Sequence, residues 1–137
     1  MNVQRFVLGS VAVFVFVAAY EWVFHGIVLH DTYIKTASLW RSESDMENNF
    51  HWLMIGQLFM AIMFCFIFTK GYEDKGLAEG LRYGLLIGLL VFVGRDLIMY
   101  AVQPLPAKLV IAWICGGIVE LAIAGVIVAA IYRPARS

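Results

Sequence analysis

Apolar residues fill four long segments of this chain, and polar residues are concentrated in the short stretches between them. The segments cover residues 6–29, 46–69, 81–101 and 107–132. A helix needs about 20 apolar residues to cross the hydrocarbon layer of a bilayer, and each segment has that length. The pattern therefore predicts an all-α integral membrane protein, with four transmembrane helices that make a single domain over residues 1–137.

Composition supports this assignment and excludes some functions. Of the 137 residues, 62% are hydrophobic, and the mean hydropathy is +0.82. Soluble domains typically contain about 45–50% apolar residues. Lys plus Arg and Asp plus Glu number 10 each, so the net charge is zero. Because nucleic-acid binding needs a basic surface, nucleic acid is excluded as a partner, and the lipid bilayer is the expected surrounding.

The distribution of Lys and Arg predicts the orientation of the helices. Six lie on the side that holds both termini and the loop near residues 70–80, and three lie on the other side. Cytoplasmic loops carry the excess of positive residues, so we expect both termini in the cytoplasm and an antiparallel up-down bundle. The six are Arg5, Lys70, Lys75, Arg82, Arg133 and Arg136, and the three are Lys35, Arg41 and Lys108.

The second helix has a sequence signal for its first turn. Ser44-Asp45-Met46-Glu47 fits a capping box, in which the Ser44 hydroxyl caps the helix and Glu47 reaches back to it. We therefore expect this helix to begin near Asp45.

Two stripes of small residues predict close helix packing. Gly80, Gly84 and Gly88 recur at four-residue spacing in the third segment, and Gly116 and Ala124 lie on a similar stripe in the fourth. Small residues at this spacing let helix backbones approach closely in lipid. The stripes indicate packing within the bundle or, alternatively, association with a second copy or another membrane protein.

Polar side chains inside the spans are the candidate functional site. At about 1.5 Å per residue, most of them fall about 8–14 Å below the outer boundary. Charged residues within spans mark a function or a structural ion pair, because burying them in lipid is costly. The cluster consists of Glu21, His25, Gln57, Arg95, Asp96 and Glu120.

The charges of this cluster do not balance. Three carboxylates face one guanidinium, a formal charge of −2. Such an excess is stable in low dielectric only if carboxylates hold protons, His25 is cationic or an external cation is bound. Adjacent residues project about 100° apart on a helix. We therefore expect Arg95 to pair with Glu21 or Glu120, and Asp96 to face His25, Gln57 or water.

Two kinds of ligand are compatible with these residues. His25, His30 and His51 lie near the outer surface, and Glu21 lies four residues from His25, so a copper or zinc site is one hypothesis. A haem is a further possible cofactor of the histidines. A proton or small-cation site built from Glu21, Asp96 and Glu120 is the other hypothesis.

Two stretches of the chain resemble known sequences. They are Thr36-Ala-Ser-Leu-Trp-Arg41 and the run from Phe66 to Gly84. The chain resembles a group of small, uncharacterised bacterial four-helix inner-membrane proteins. That resemblance implies the architecture and a bacterial inner-membrane location, and it implies no site residues.

These observations favour a non-catalytic protein. The sequence has no phosphate-binding loop and no Ser-His-Asp pattern, and the spans leave no room for a soluble domain. We expect an accessory or assembly subunit of a larger membrane complex. The alternatives are a small proton- or cation-coupled carrier and a metal-binding protein of the periplasmic face, each using the polar cluster.

Overall fold

The chain folds almost entirely into helices. The structure, a computed structural model, describes residues 1–133, so Arg136 lies outside the described residues. Helix makes up 85% of the chain, and the described part contains no strand. The helices are α1 (Val3–Val23), α2 (His30–Lys35), α3 (Glu43–Lys70), α4 (Leu77–Gly88), α5 (Gly94–Val102) and α6 (Ala107–Ile131). Four helices, with α4 and α5 counted as one, are long and apolar enough to cross a membrane.

The second long helix begins earlier than its sequence signal predicted. Ser42, not Ser44, is the cap, and its hydroxyl accepts a hydrogen bond from the Asp45 backbone N–H at 3.3 Å. The Ser44 hydroxyl instead lies 3.3 Å from that of Ser42. Arg41 then pairs with Asp45 at 2.8 Å across the first turn. The prediction of a capping box at Ser44 is wrong, because the chain already turns into the helix two residues before it.

Two of the spans contain a π-helical turn. Phe24–Val28 continues α1, and the Leu29 N–H donates to the Phe24 carbonyl at 2.9 Å. Leu89–Val93 joins α4 to α5 in one continuous span. A π-helical turn adds a residue to one turn of the helix and re-aims the side chains around it, and such turns are frequent at functional sites.

The glycine stripe of α4 lies directly against α6. A Cβ atom added at Gly84 would stand 2.0 Å from the Leu121 carbonyl oxygen, and one added at Gly125 would stand 2.0 Å from that of Gly80. Farther along, a Cβ at Gly88 would lie 3.0 Å from the Ile118 Cα. Only glycine permits this approach, so the stripe is used inside the bundle.

Contacts between residues far apart in the sequence identify one end of the molecule. The Asn2 N–H donates to the Tyr132 hydroxyl at 3.2 Å, and the Thr69 hydroxyl lies 3.6 Å from the Met1 sulfur. We call the half that contains these residues and Gly80 the lower half. The upper half contains the two π-helical turns, α2 and α5.

The extent of packing differs between pairs of helices. α6 packs most extensively against α4 and also against α1, while α3 packs against α1. Between α3 and the α4–α5 span there is little backbone packing. Their contact lies in the lower half, where the Tyr83 ring meets those of Phe64 and Phe68. Ring packing thus joins α3 to the α4–α5 span in the lower half, whereas the described residues show no extensive backbone packing between α3 and α5.

Candidate functional site

A cleft in the upper half brings most of the polar side chains of the spans together. Its volume is about 420 Å³, and every long helix contributes to its walls. Glu120 is fully buried and is not among the residues that line the cleft. The lining residues are Glu21, Phe24, His25, Gln57, Met60, Phe92, Arg95, Asp96, Met99, Trp113 and Gly117.

His25 is held by two partners, one on each ring nitrogen. Its Nε2 lies 3.0 Å from Oε2 of Glu21, one helical turn before it. Its Nδ1 lies 2.5 Å from the Tyr33 hydroxyl, which also accepts a hydrogen bond from Trp113 Nε1 at 2.8 Å. Burial raises the pKa of Tyr33 above its ordinary value. Glu21, His25, Tyr33 and Trp113 thus form one chain of contacts along the wall of the cleft.

The three histidines do not come together. His30 and His51 are exposed, and both ring nitrogens of His25 are already engaged. Over residues 1–133, no group of three or more His, Cys, Asp or Glu side chains is arranged to hold a metal ion. A metal at His25 would have to displace Glu21 or Tyr33, because a coordinating nitrogen needs a free lone pair.

The pairing expected for Arg95 is wrong. Its Nε donates to Oδ1 of the adjacent Asp96 at 2.7 Å, and its guanidinium lies 4.9 Å from the centre of the Phe92 ring. Neither Glu21 nor Glu120 is its hydrogen-bond partner. The Cα–Cβ bonds of adjacent helical residues point about 100° apart. The long Arg95 side chain nevertheless folds back along its own helix and reaches Asp96 across that angle.

Buried oxygen atoms without a donor distinguish this region. Gln57 Oε1, Asp96 Oδ2 and both carboxylate oxygens of Glu120 are buried and have no hydrogen-bond partner among the described residues. Asp96 is 1% exposed and Glu120 is 0% exposed. Arg95 is close enough to act on Glu120 electrostatically, and the Glu21 and Glu120 carboxyl groups are close enough to share a hydrogen bond when one of them holds a proton. All four unpartnered atoms are acceptors, so the site lacks donors rather than polar groups.

Each π-helical turn contains a phenylalanine whose ring packs against a glycine of α6. A Cβ at Gly116 would stand 2.3 Å from the Phe24 ring, and one at Gly117 would stand 2.4 Å from the Phe92 ring. The Gly116 carbonyl accepts a hydrogen bond from the Tyr20 hydroxyl at 2.7 Å. These contacts fix α1 and the α4–α5 span against α6 at the depth of the cleft.

Sequence reasoning missed Tyr33 and Trp113 as members of the site. Tyr33 fits an aromatic belt at the membrane boundary, where such residues are common, and its position gave no reason to connect it with His25. The adjacent glycines Gly116-Gly117 were a signal that large side chains approach this depth, but the side chains that do so are Phe24 and Phe92, and no comparable signal marks Tyr33 or Trp113.

Comparison with known proteins gives no match: no family model, no curated protein and no solved structure is significantly similar to this chain. The geometry of the cleft is therefore the basis for a functional assignment.

Proposed function

We propose that this chain is a small, non-catalytic membrane protein that binds a proton or a small cation at the polar cluster of its upper half. The observation that supports the proposal is the set of buried acceptor oxygens on Gln57, Asp96 and Glu120 without a donor. These residues come from three different helices, so a ligand bound there would be held by the assembled bundle.

The chemistry follows from the cost of burying charge. A carboxylate removed from water without a partner is unfavourable by several kcal/mol, which is about the stability of a small domain. Glu120 has no donor within the described part of the chain, and Asp96 has one, on a single oxygen. The cluster is therefore stable when the carboxyl groups hold protons or when a cation replaces those protons.

Release of protons on cation binding tests this proposal. Purified protein in a neutral detergent and weak buffer near pH 7 is titrated with sodium, potassium or ammonium chloride, and a pH-sensitive dye records released protons. We expect saturable release of about one proton per chain with at least one salt. Absence of saturable release with every salt would overturn the proposal.

Two variants show whether released protons come from the cluster. Glu120→Gln removes the buried carboxyl whose two oxygens have no donor among the described residues and is expected to abolish the release. Asp31→Asn makes the same chemical change at an exposed carboxyl of α2 and is expected to leave it unchanged. Equal release from both variants would assign the protons to the protein surface.

We propose the following membrane arrangement for this function. The chain forms an antiparallel up-down bundle in a bacterial inner membrane, with both termini in the cytoplasm and the cleft on the periplasmic side. Support comes from the excess of Lys and Arg on the side of the termini. Cysteine accessibility at positions 38 and 74 from each side of the membrane tests this orientation, with position 38 expected to label from outside.

Transport is one use of such a site, and it requires access from both sides. In liposomes, a proton- or cation-coupled carrier would give uptake above that of empty vesicles, and Glu21→Gln would remove it while Asp31→Asn would not. Wild-type uptake equal to that of empty vesicles would exclude the carrier.

An accessory subunit of a larger membrane complex is the second candidate. The observation in its favour is the apolar outer surface of the bundle, where large side chains such as Trp22, Phe59 and Leu90 are exposed. Such a surface can pack against another membrane protein as well as against lipid. Purification in mild detergent should then recover a stoichiometric partner, and a lone stable monomer would contradict this candidate.

A further inference from the structure

α3 and α5 form two walls of the cleft and are only sparsely packed against each other. α3 supplies one wall with Gln57 and Met60, and α5 supplies the facing wall with Asp96 and Met99. These two helices lack extensive backbone packing, and their ring contacts are confined to the lower half. A molecule dissolved in the upper leaflet can therefore reach the cluster between α3 and α5 without crossing the bundle.

The walls of the cleft combine unpartnered acceptors with soft apolar surfaces. Asp96, which is 1% exposed, and Gln57 both line the cleft, and each has a buried oxygen without a hydrogen-bond partner among the described residues. Around them lie the rings of Phe24, Phe92 and Trp113 and the thioethers of two methionines. The indole N–H of Trp113 is used by Tyr33, so its ring is what remains for a ligand. Aromatic faces attract organic cations.

The charges of the polar cluster indicate whether its ligand is a cation or an anion. Arg95 lines the cleft and favours an anion, but its Nε is paired with Asp96 and its guanidinium lies over the Phe92 ring. Three carboxylates of the cluster outnumber this one guanidinium. With all three carboxyl groups ionised, the sum stays negative even if His25, which contacts Glu21, is cationic, so neutrality requires protons on the carboxyl groups or a bound cation. A cation is therefore the complementary ligand.

A bare ion would fill only part of this cleft, and the lining suits a cation that also carries apolar groups. Hard cations take about six to eight oxygen ligands, whereas most of this lining is aromatic, thioether or aliphatic. A volume of about 420 Å³ is in the range of pockets that hold small organic molecules. We propose that the ligand is a lipophilic ammonium cation, an amphiphile with a charged amine head and an apolar tail, which enters from the bilayer between α3 and α5. This inference rests on the proposed function and names its ligand class.

Equilibrium binding of radiolabelled decyltrimethylammonium tests the inference. The protein is held in dodecyl maltoside micelles, and partition into protein-free micelles is subtracted. We expect saturable binding of about one molecule per chain. Asp96→Asn should weaken it at least tenfold, since it removes a negative charge from the lining of the cleft, and Asp31→Asn should leave it unchanged. Binding that is equally strong in Asp96→Asn would overturn the inference.

Competition separates the contributions of head and tail. Tetramethylammonium, which has the head alone, and decanol, which has the tail alone, should each compete at least tenfold more weakly than unlabelled decyltrimethylammonium. Equal competition by tetramethylammonium would exclude a role for the tail. Displacement of the tracer by equimolar phosphatidylethanolamine would assign the site to a lipid headgroup and overturn the assignment to a free amphiphile.

A wall substitution tests entry between α3 and α5. Met99→Trp narrows the gap from the α5 side without changing charge and should weaken decyltrimethylammonium binding, while proton release by the small salts persists. If small salts release protons but decyltrimethylammonium does not bind, the ligand class is wrong and the proposed function stands. If the small salts release no protons and decyltrimethylammonium does not bind, the ligand class and the proposed function are both wrong.

Discussion

Two buried glutamates show how the lower and upper halves of the bundle differ. Glu79, at the start of α4, is 5% exposed and accepts hydrogen bonds from the backbone N–H groups of Glu73 and Lys75 at 2.6 and 2.8 Å. Glu120, in α6, is 0% exposed and accepts none from the described residues. The buried glutamate of the lower half therefore has backbone hydrogen-bond partners, whereas that of the upper half has none among the described residues.

Other polar groups follow the same division. In the lower half, the Tyr83 hydroxyl donates to the Phe64 carbonyl at 2.6 Å and the Ser10 hydroxyl donates to that of Phe6 at 2.9 Å. In the upper half, Asp96 leaves one buried oxygen free. Unpaired buried acceptors cost stability, and among residues 1–133 the buried side-chain acceptors without a partner lie in the upper half. This uneven distribution is the basis on which we propose a binding site there.

The largest expected effect comes from the glycine contact of the lower half. Gly84→Ala would place a methyl group 2.0 Å from the Leu121 carbonyl oxygen, so α4 and α6 must separate. Overpacking of this kind costs about 1–3 kcal/mol, and we expect the upper end because backbone rather than a side chain must move. Denaturant titration of the purified protein in detergent measures the loss.

Gly94→Ala is the matched control, because nothing lies within 4 Å of a Cβ at that position. Its effect should stay within about 0.5 kcal/mol or favour folding through helix propensity. Equal destabilisation by the two substitutions would contradict the close contact at Gly84.

Glu79→Gln is expected to have the next largest effect. The amide has one acceptor oxygen in place of two and directs N–H donors toward the backbone N–H groups of Glu73 and Lys75. Loss of a buried hydrogen-bond partner costs about 1–3 kcal/mol. The same titration measures it. An unchanged stability would mean that the loop before α4 is held by other contacts.

Much of this architecture was predictable from the sequence. The bilayer imposes length and hydropathy on its helices, so four spans are visible in the pattern alone. Helical rise alone predicted a similar depth for Glu21, Gln57 and Asp96, and all three line one cleft. Glycines at four-residue spacing in α4 lie on one face by geometry.

The rest depended on local structure without a sequence signal. The π-helical turn at Leu89–Val93 has an apolar sequence like its surroundings, yet it directs Phe92 onto Gly117. The fold-back of Arg95 onto Asp96 depends on the conformation of a flexible side chain. The role of Tyr33 depends on α2 turning back over His25. None of these follows from residue type or spacing.

Tyr83→Phe is expected to have a modest effect. The hydroxyl donates to the Phe64 carbonyl and links α4 to α3 in the lower half. Side-chain hydrogen bonds within membranes average about 0.6 kcal/mol, so we expect a loss of that size. The ring contacts with Phe64 and Phe68 remain in the variant. A loss several times larger would show that this hydroxyl, rather than the rings, joins the two helices.

The smallest change in stability is expected for Glu120→Gln, which makes in the upper half the same substitution as Glu79→Gln in the lower. Glu120 has no donor to lose, and the amide matches a protonated carboxyl in shape. We expect an unfolding free energy within about 0.5 kcal/mol of the wild type, or a gain if the wild-type carboxyl is ionised in the folded protein. Denaturant titration in detergent without added ligand measures it. A loss as large as that of Glu79→Gln would mean that Glu120 has a structural partner, and the two halves would then no longer differ in how they satisfy their buried acids.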